Sequence, residues 1–549
     1  MSQLDKRGYD ILRNPLLNKG PAFTEAEREQ LGLCGLIPAG VETLDQQRRR
    51  ALAQVRAAPD PLGKYLELAN IQDRNEHLYY SLLTHHIEEF LPIVYTPTVG
   101  LATQKFSDVF RRARGVWINP AHKGQIGHLF SNATSGRTIK LIVITDNESI
   151  LGIGDQGAGG MAISIGKLAL YTACAGIHPS QVLPISLDVG TDNEELRKNP
   201  FYLGWPKKRL RGEPYDQLVD ELVTAVNVVF PGALLQWEDF RKDNALKILD
   251  RHRNKVLSFN DDIQGTGAVA LAGILGGLRA NGEELIKQRI LIYGAGAAGL
   301  GIARQIRAAL RFEGLSELDV AAHIGVLDSQ GLLVADRSFE QEYKSELAWP
   351  EDIAKRFNLI DPQSRDLLSV LKAYKPTVLI GASGRAGDFT EEAIRTLTKG
   401  CATPIVLPLS NPTENSEATP ADILRWTDGK ARVATGSPFP PVGDREIGQG
   451  NNVFVFPGLG LGALVAQANR VSDAMISVSA KALAEQLTPS EVVRGLLYPE
   501  IPRLRQVTQA VAIAVAQQAI SEGNAQLTGH VETAVKEAMW DPVYPDYTI

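Results

Sequence analysis

The segment RILIYGAGAAGLGIARQIRAAL (289–310) constrains the fold of this 549-residue chain more than any other stretch. A short apolar run leads into three glycines, Gly294, Gly296 and Gly299, and an amphipathic helix pattern follows them. In this order the first glycine permits a tight turn, the second lets a dinucleotide approach the backbone, and the third lets the helix pack on the strand with its N-terminus facing a pyrophosphate. The segment therefore predicts a Rossmann-type dinucleotide-binding domain, and the alternative is a Gly- and Ala-rich packing helix without a ligand. The predicted cofactor contacts of this turn are Gly294, Gly296, Ala297, Ala298 and Gly299.

The next strand pattern lies within AAHIGVLDSQG (321–331) and ends at Asp328, which Ser329 follows. Asp328 lies farther beyond Gly299 than the usual ~20 residues, and the longer helix together with FEGLSELD accounts for the excess. A carboxylate here would bind the ribose hydroxyls and repel a 2'-phosphate, which favours NAD, whereas Ser329 and the nearby Lys344 would soften that preference. We therefore expect NAD as the coenzyme, with NADP as the alternative.

Two stretches of the chain alternate short β-rich runs with helical patterns, which is typical of parallel α/β domains. The first contains IKLIVITD, QVLPISLDVG, ALLQWEDF and KVLSF, and the second begins with RILIYGAG and continues through PTVLIGASG and TPIVLPLSNPT. Helix-like periodicity dominates before the first stretch and after the second. We predict an α/β chain with an N-terminal helical domain (1–113), a parallel α/β domain (114–262 and 452–523), the Rossmann domain (263–451) and a C-terminal tail (524–549).

Charge and cysteine usage narrow the function classes and the compartment. The formal net charge of -6 argues against a nucleic-acid or anionic-membrane surface, so neither partner is expected. Cys34, Cys174 and Cys401 are widely spaced and form no zinc-binding pattern, which favours reduced thiols. The first residues, MSQLDKRGYDILRNPLLNKG, lack the apolar core of a signal peptide. We expect a soluble cytoplasmic protein that acts on a small molecule.

Two strand-like segments end in adjacent carboxylates. VLSFNDDIQGTG places Asp261 and Asp262 before a long apolar helix pattern, and ALLQWEDF ends with Glu238 and Asp239 before its final Phe. Ligands gather at the carboxyl ends of strands in open α/β sheets, where clustered acids repel each other unless a cation lies among them. The alternative is purely local: Asn260 or Asp261 caps the following helix through its side-chain oxygen.

Two further side chains are candidates for proton transfer. Lys167 is the only charged residue in GGMAISIGKLALYTACAGI, and burial lowers the pKa of an ammonium, as general-base work requires. The alternative is a lysine whose stem runs along apolar surface while its charge stays in water. Tyr95, in LPIVYTPTVG, follows an apolar run at a proline-bounded turn, and its alternative is an ordinary half-buried tyrosine.

A set of long motifs, in order along nearly the whole chain, resembles the malic enzyme family. They are VYTPTVG, ILGIGDQGAGGM, GKLALYTACAGI, LDVGTDN, QWEDF, FNDDIQGTGAVALAG, LSNPT and GQGNNVFVFPG. The resemblance implies oxidative decarboxylation of L-malate to pyruvate and CO2, with reduction of NAD(P) and dependence on Mg2+ or Mn2+. It also implies a homodimer or homotetramer, with substrate and metal bound by the domain of 114–262 and 452–523.

The resemblance also implies roles for individual residues. The implied metal ligands are Glu238, Asp239 and Asp262, and oxygen ligands are what Mg2+ and Mn2+ prefer. Asp261 is implied to tune Lys167, which takes the proton of the C2 hydroxyl as hydride leaves for the nicotinamide, and Tyr95 then protonates C3. The motif positions that resemble binders of the substrate carboxylate or the nicotinamide are Asn411, Asn451 and Asn452, although asparagine also favours such turns.

One substrate position departs from the family pattern. Ser149, in TDNESILGIGD, stands where many members carry an arginine that binds a substrate carboxylate. Serine donates only a neutral hydrogen bond, so we expect weaker malate binding. The departure keeps open a malolactic type of enzyme, which holds NAD and Mn2+ tightly and releases lactate, although YTPT at 95–98 resembles the malic type. A dinucleotide-binding homologue without activity is the remaining alternative.

Overall fold

The computed structural model of the chain describes residues 6–339 and 341–547. The chain divides into two compact units, Met1–Phe240 with Lys536–Ile549, and Arg241–Val535. Parallel strands with helices between them occur in both units, so the predicted α/β class is confirmed.

The first unit contains a parallel sheet with the strand order β1-β3-β2-β4. The strands are β1 (Val116–Ile118), β2 (Leu141–Thr145), β3 (Val182–Leu187) and β4 (Leu234–Trp237). Every residue of β2 and β4 is buried, which explains why both segments are almost continuously apolar rather than alternating. Because the strands are parallel, the loops that follow β2 and β4 emerge at the same edge of the sheet. This edge positions residues 146–149 and 238–239.

Helices precede and connect these strands, as the N-terminal helical pattern predicts. They are α1 (Tyr9–Leu12), α2 (Glu25–Gln30), α3 (Leu44–Arg56), α4 (Pro61–Arg74), α5 (Glu76–His85), α6 (Ile87–Val94), α7 (Thr98–Gln104), α8 (Phe106–Val109), α9 (Ile126–Thr134), α10 (Met161–Ala175), α11 (Glu194–Lys198) and α12 (Glu213–Val229). Side-chain capping boxes at Thr24 and Thr43 start α2 and α3, where a threonine oxygen and a Glu or Gln side chain satisfy orphan backbone N–H groups.

Helix α10 runs through the core of the first unit. Together with the turn before it, Gly157–Ala175 is long and apolar enough by length and composition to cross a membrane, but 94% of its 18-residue window is buried inside the protein. Burial of this kind is what a core helix shows. Lys167 lies in the middle of α10.

The C-terminal residues pack on the N-terminal helices. The Trp540 N–H donates to the carbonyl oxygen of Gly176 at 2.7 Å, and its ring lies 5.4 Å from the His77 ring. Asn75 donates from Nδ2 to the Tyr544 hydroxyl at 2.7 Å. Burial in this cluster lowers the pKa of His77 to about 4. The end of the predicted tail is therefore a packed part of the first unit.

The second unit contains a sheet with the strand order β12-β11-β10-β9-β6-β7-β8, in which β8 pairs antiparallel with β7 and the other pairs are parallel. Its strands, with the preceding β5, are β5 (Ser258–Asn260), β6 (Ile290–Tyr293), β7 (Ile324–Asp328), β8 (Gly331–Leu332), β9 (Val378–Gly381), β10 (Ile405–Pro408), β11 (Arg432–Thr435) and β12 (Gly448–Gln449). The chain order runs outward in both directions from β6, so the switch point lies between β6 and β9. In doubly wound sheets dinucleotides bind at that point.

Helices flank this sheet and continue beyond it. They are α13 (Lys242–His252), α14 (Thr266–Asn281), α15 (Ala297–Phe312), α16 (Glu317–His323), α17 (Tyr343–Leu347), α18 (Glu351–Arg356), α19 (Leu367–Tyr374), α20 (Glu391–Gly400), α21 (Pro420–Trp426), α22 (Phe456–Val465), α23 (Asp473–Glu485), α24 (Pro489–Arg494), α25 (Leu504–Ser521) and α26 (Val531–Ala538), the last of which runs past the end of the unit. Residues of α14 are mostly buried because this helix packs on both α15 and α23.

The two units divide the chain at other positions than the predicted domains. Residues 241–262 and 452–523 lie in the second unit, whereas the sequence pattern groups them with the first sheet. Helices α22 and α23 pack on α25, and α23 also packs on α14 and α15, which explains the grouping. The boundaries between the domains by ligand-binding role stay a prediction.

Candidate functional site

Lys167 lies beside Tyr95 and Glu238 in the first unit. Its side chain is fully buried, with 0% of its surface exposed. The Nζ atom is 3.0 Å from Glu238 Oε1 and 4.8 Å from the centroid of the Tyr95 ring. Tyr95 follows α6 and is also buried. The alternative of a lysine with its charge in water is therefore wrong, and the two proton-transfer candidates lie together.

A polar network continues from Glu238 into the core. Gln236 donates from Nε2 to Glu238 Oε2 at 2.8 Å, and Tyr171, one turn after Lys167 on α10, donates its hydroxyl to Gln236 Oε1. All four side chains are buried. Because the carboxylate accepts from both Gln236 and Lys167, its orientation is set by the protein itself. The role of Gln236 is not predictable from the sequence, since a single glutamine in an apolar strand has no distinctive spacing.

Asp239 follows Glu238 in a strained backbone conformation. Its φ of 54° lies in the left-handed region, which residues other than glycine seldom adopt, although aspartate and asparagine occur there more often than most. Its side chain is buried, and its carbonyl oxygen accepts the Ser149 N–H at 3.1 Å. The exposed Ser149 is thus held to the acidic loop through its main chain. That hydrogen bond does not depend on the side chain at position 149.

In the second unit, Asp261 begins a π-helical turn, Asp261–Gly265, that leads into α14. Asn260 caps this turn by accepting a backbone N–H at 2.9 Å, so the local capping alternative holds for Asn260. Asp261 is fully buried, and Asn452 donates from Nδ2 to its Oδ2 at 3.0 Å. A Cβ at Gly265 would lie 2.0 Å from Asp261 Oδ1, so this glycine makes room for the carboxylate.

The three glycines after β6 have the geometry that a dinucleotide turn requires. Gly294 has a φ of 124°, and a Cβ there would lie 2.2 Å from the carbonyl oxygen of Ala382. A Cβ at Gly299 would lie 1.8 Å from the carbonyl oxygen of Gly294. At Gly296, in contrast, a Cβ would meet no heavy atom within 4 Å. Because α15 begins at Ala297, its unbonded N–H groups open beside this space, which fits a pyrophosphate.

Asp328, at the end of β7, pairs with two cations. Arg337 Nη2 lies 2.8 Å from its Oδ1, and Lys344 Nζ lies 2.9 Å from its Oδ2. Burial alone raises the pKa of this carboxyl, but the two cations outweigh burial and hold the pKa below its ordinary value. Asp328, Ser329, Lys344 and Gly296 line one cavity of about 270 Å³. The contact of Arg337 with Asp328 is not predictable from the sequence, because Arg337 lies in an irregular segment without a recognisable motif.

The three predicted asparagines, Asn411, Asn451 and Asn452, have different contacts. Asn451 Oδ1 accepts the Val453 N–H at 3.0 Å, which is an ordinary turn role. The exposed Asn411 accepts the Ser437 hydroxyl at 2.6 Å. Asn452 contacts Asp261, so it belongs to the surroundings of that buried carboxylate.

Two models of known protein families match consecutive parts of the chain. The model described as "Malic enzyme, N-terminal domain" matches residues 72–253, and the model described as "Malic enzyme, NAD binding domain" matches residues 263–520. The second match begins at the predicted start of the Rossmann domain and contains the glycine turn.

Named relatives and solved structures match this chain over most of their own length. A protein of Aeromonas hydrophila named NAD-dependent malic enzyme is 45% identical over 98% of this chain and 96% of its own. Two solved malic enzymes are similar in fold. The structure from Pyrococcus horikoshii has a TM-score of 0.54 and 24% identity over 82% of this chain and 88% of that one. The structure from Entamoeba histolytica has a TM-score of 0.53 and 23% identity over 94% and 92%.

Proposed function

Because this chain belongs to the malic enzyme family, as its motifs predict, we propose that it oxidises and decarboxylates L-malate to pyruvate and CO2 with reduction of NAD. The observation that carries the proposal is the fully buried Lys167 next to Tyr95 and Glu238. Burying an ammonium is expensive even when it is paired, so a buried lysine beside a phenol supports a chemical role rather than a packing role.

The residues around Lys167 divide the proton transfers of this reaction between them. As hydride leaves C2 of malate for the nicotinamide, Lys167 in its neutral amine form accepts the proton of the C2 hydroxyl. The C3–C4 bond then breaks, CO2 leaves, and Tyr95 returns a proton to C3 to give pyruvate. The network through Gln236 holds Glu238 in place beside Lys167 during both transfers. Asp261 is proposed to adjust the basicity of Lys167. Asn452 donates to the Asp261 carboxylate and fixes its orientation.

We propose Glu238, Asp239 and Asp262 as ligands of Mg2+ or Mn2+. These side chains offer carboxylate oxygens only, which suits hard divalent cations, whereas zinc sites generally include histidine or cysteine. The burial of the adjacent carboxylates Glu238 and Asp239 supports a cation at this position. When bound, the metal polarises the C2 oxygen and stabilises negative charge as CO2 leaves.

The proposed coenzyme is NAD rather than NADP. Asp328 would repel a 2'-phosphate and has lone pairs left for ribose hydroxyls. The Aeromonas relative is named for NAD dependence, which supports the same choice. Arg337 and Lys344 reduce the preference because their charges lie beside the carboxylate.

The competing candidate is the malolactic type, which Ser149 favours because the usual carboxylate-binding arginine is absent. Incubation with L-malate, Mn2+ and NAD separates the two. Pyruvate and NADH in equal amounts support the proposal, whereas lactate without net NADH refutes it. The same assay with NADP in place of NAD measures the coenzyme preference.

Two further experiments test the metal site and the assembly. An Asp262→Ala variant should lose metal-dependent turnover. Light scattering in solution tests the proposed homodimer or homotetramer.

A further inference from the structure

Glu417 is buried behind the wall of the dinucleotide cavity, and the reaction chemistry does not use it. None of its surface is exposed. Its Oε1 accepts the Ser383 N–H and the Ser383 hydroxyl, each at 2.9 Å, and also the Ser410 hydroxyl. Ser383 lines the cavity with Gly296, and Ser410 directly precedes Asn411. One carboxylate therefore joins the loops that follow β9 and β10.

The hydrogen bonds around Glu417 involve both serines and the backbone of the loop 383–385. Because carboxylate oxygens only accept, each serine hydroxyl donates to Glu417 and keeps its lone pairs for a backbone donor. Ser410 Oγ accepts the Gly384 N–H at 2.8 Å, and Ser383 Oγ accepts the Arg385 N–H at 3.1 Å. The three successive N–H groups of 383–385 are thus satisfied from within the protein. The Ser383 N–H donates to Glu417 directly, and those of residues 384 and 385 reach it through the two serine hydroxyls.

The neighbouring backbone is shaped for this carboxylate. A Cβ at Gly381, the last residue of β9, would lie 2.4 Å from Glu417 Cδ and Oε2. The next residue, Ala382, packs directly under the glycine turn, since a Cβ at Gly294 would lie 2.2 Å from its carbonyl oxygen. A shift of the 383–385 loop would therefore reach the turn that faces the pyrophosphate.

We propose that Glu417 is a positioning residue for the dinucleotide. It acts through Ser383 and Ser410, and it holds the cavity wall and the Ser410–Asn411 link in the arrangement that the coenzyme requires. This inference rests on the proposed use of a dinucleotide and adds a residue that no motif of the sequence indicates.

A Glu417→Gln variant tests the proposal because it keeps the side-chain size. The amide oxygen can replace Oε1, but the amide NH2 then faces the Ser410 N–H, which Oε2 accepts at 3.4 Å in the native protein. We expect the Kd for NADH, measured by fluorescence titration without malate, to rise about tenfold, as the loss of a hydrogen bond to a charged group predicts. The KM for NAD should rise by a similar factor, and the KM for malate should change by less than about twofold.

A Glu491→Gln variant is the matched control. Glu491 is also buried in the second unit and accepts the Thr488 N–H at 2.7 Å and the Glu500 N–H at 3.0 Å, but neither partner lines the cavity. It should lower the melting temperature and leave the Kd for NADH unchanged. Equal losses of NADH affinity in the two variants would show that Glu417 only stabilises the fold, and an unchanged Kd in Glu417→Gln would also overturn the proposal.

A double-mutant cycle with Ser410→Ala tests the route of the effect. If Glu417 acts through Ser410, the double variant should bind NADH no more weakly than the weaker single variant, and strictly additive losses would refute that route. The proposed function is judged on the wild type alone. A wild type that binds NADH but does not oxidise malate refutes that function and leaves the comparison at Glu417 intact, whereas a wild type that binds no dinucleotide refutes both.

Discussion

Replacing Asp328 by asparagine should change the coenzyme preference of this protein. The native carboxylate pairs with Arg337 at 2.8 Å and Lys344 at 2.9 Å, so Asp328→Asn leaves two cations at the proposed ribose site without their anion. A hydrogen bond to a charged group is worth about 1.5–3 kcal/mol. We therefore expect kcat/KM for NAD to fall about 10- to 100-fold, and kcat/KM for NADP to rise about tenfold as the freed cations meet the 2'-phosphate.

Initial-rate assays with each coenzyme at saturating malate and Mn2+ measure this change. The low pKa of Asp328 keeps it ionised at neutral pH, so its contribution is present above its ordinary pKa of ~3.9 and is lost only as pH falls through the lower folded value. The matched control is Glu446→Gln, because Glu446 accepts from Arg494 Nη1 at 2.8 and 2.9 Å and does not line the cavity. An equal change of the NAD-to-NADP ratio in both variants, or no gain with NADP, would refute the reasoning.

Five further substitutions have expected outcomes. Lys167→Met should lower kcat for malate-dependent NADH formation about 10²- to 10⁴-fold, and retained turnover would exclude it as the base. Gly296→Ala should weaken NADH binding with little change in melting temperature, whereas Gly299→Ala should melt at a clearly lower temperature because its Cβ would lie 1.8 Å from a carbonyl oxygen. Ser149→Arg should lower the KM for malate about tenfold, and an unchanged KM would contradict the role assigned to the missing arginine. His77 has a folded pKa of about 4, so the unfolded state binds its proton more readily and the free energy of unfolding should fall by up to roughly 3 kcal/mol from pH ~6.5 to ~4. His77→Phe should flatten that slope in urea titrations at several pH values.

The glycine turn shows how far local sequence can predict structure. Strand, turn and helix all lie within 289–310, where Gly294 has a φ of 124° and a Cβ at Gly299 would clash with the carbonyl oxygen of Gly294. The clash of a Cβ at Gly294 with Ala382, in contrast, is a tertiary contact. The α/β class was predictable for a similar reason, since buried parallel strands are apolar runs separated by helical periodicity. The packing of Trp540 on the N-terminal helices was not predictable, because the tail has no periodic pattern and its partners are distant in the chain.

By itself, the sequence determined the class of the fold, the strand–turn–helix segment with its three glycines and the two pairs of adjacent carboxylates, because each depends on residues that are close in the chain. The tertiary structure decided which of these residues meet. Glu238 reaches Lys167 because β4 pairs with β2, where the Glu238 N–H donates to the Ile144 carbonyl oxygen at 2.9 Å. It likewise placed Arg337 and Lys344 on Asp328. Periodicity shows which face of a strand or helix is buried, but the order of strands in a sheet follows from long-range packing that no short segment encodes.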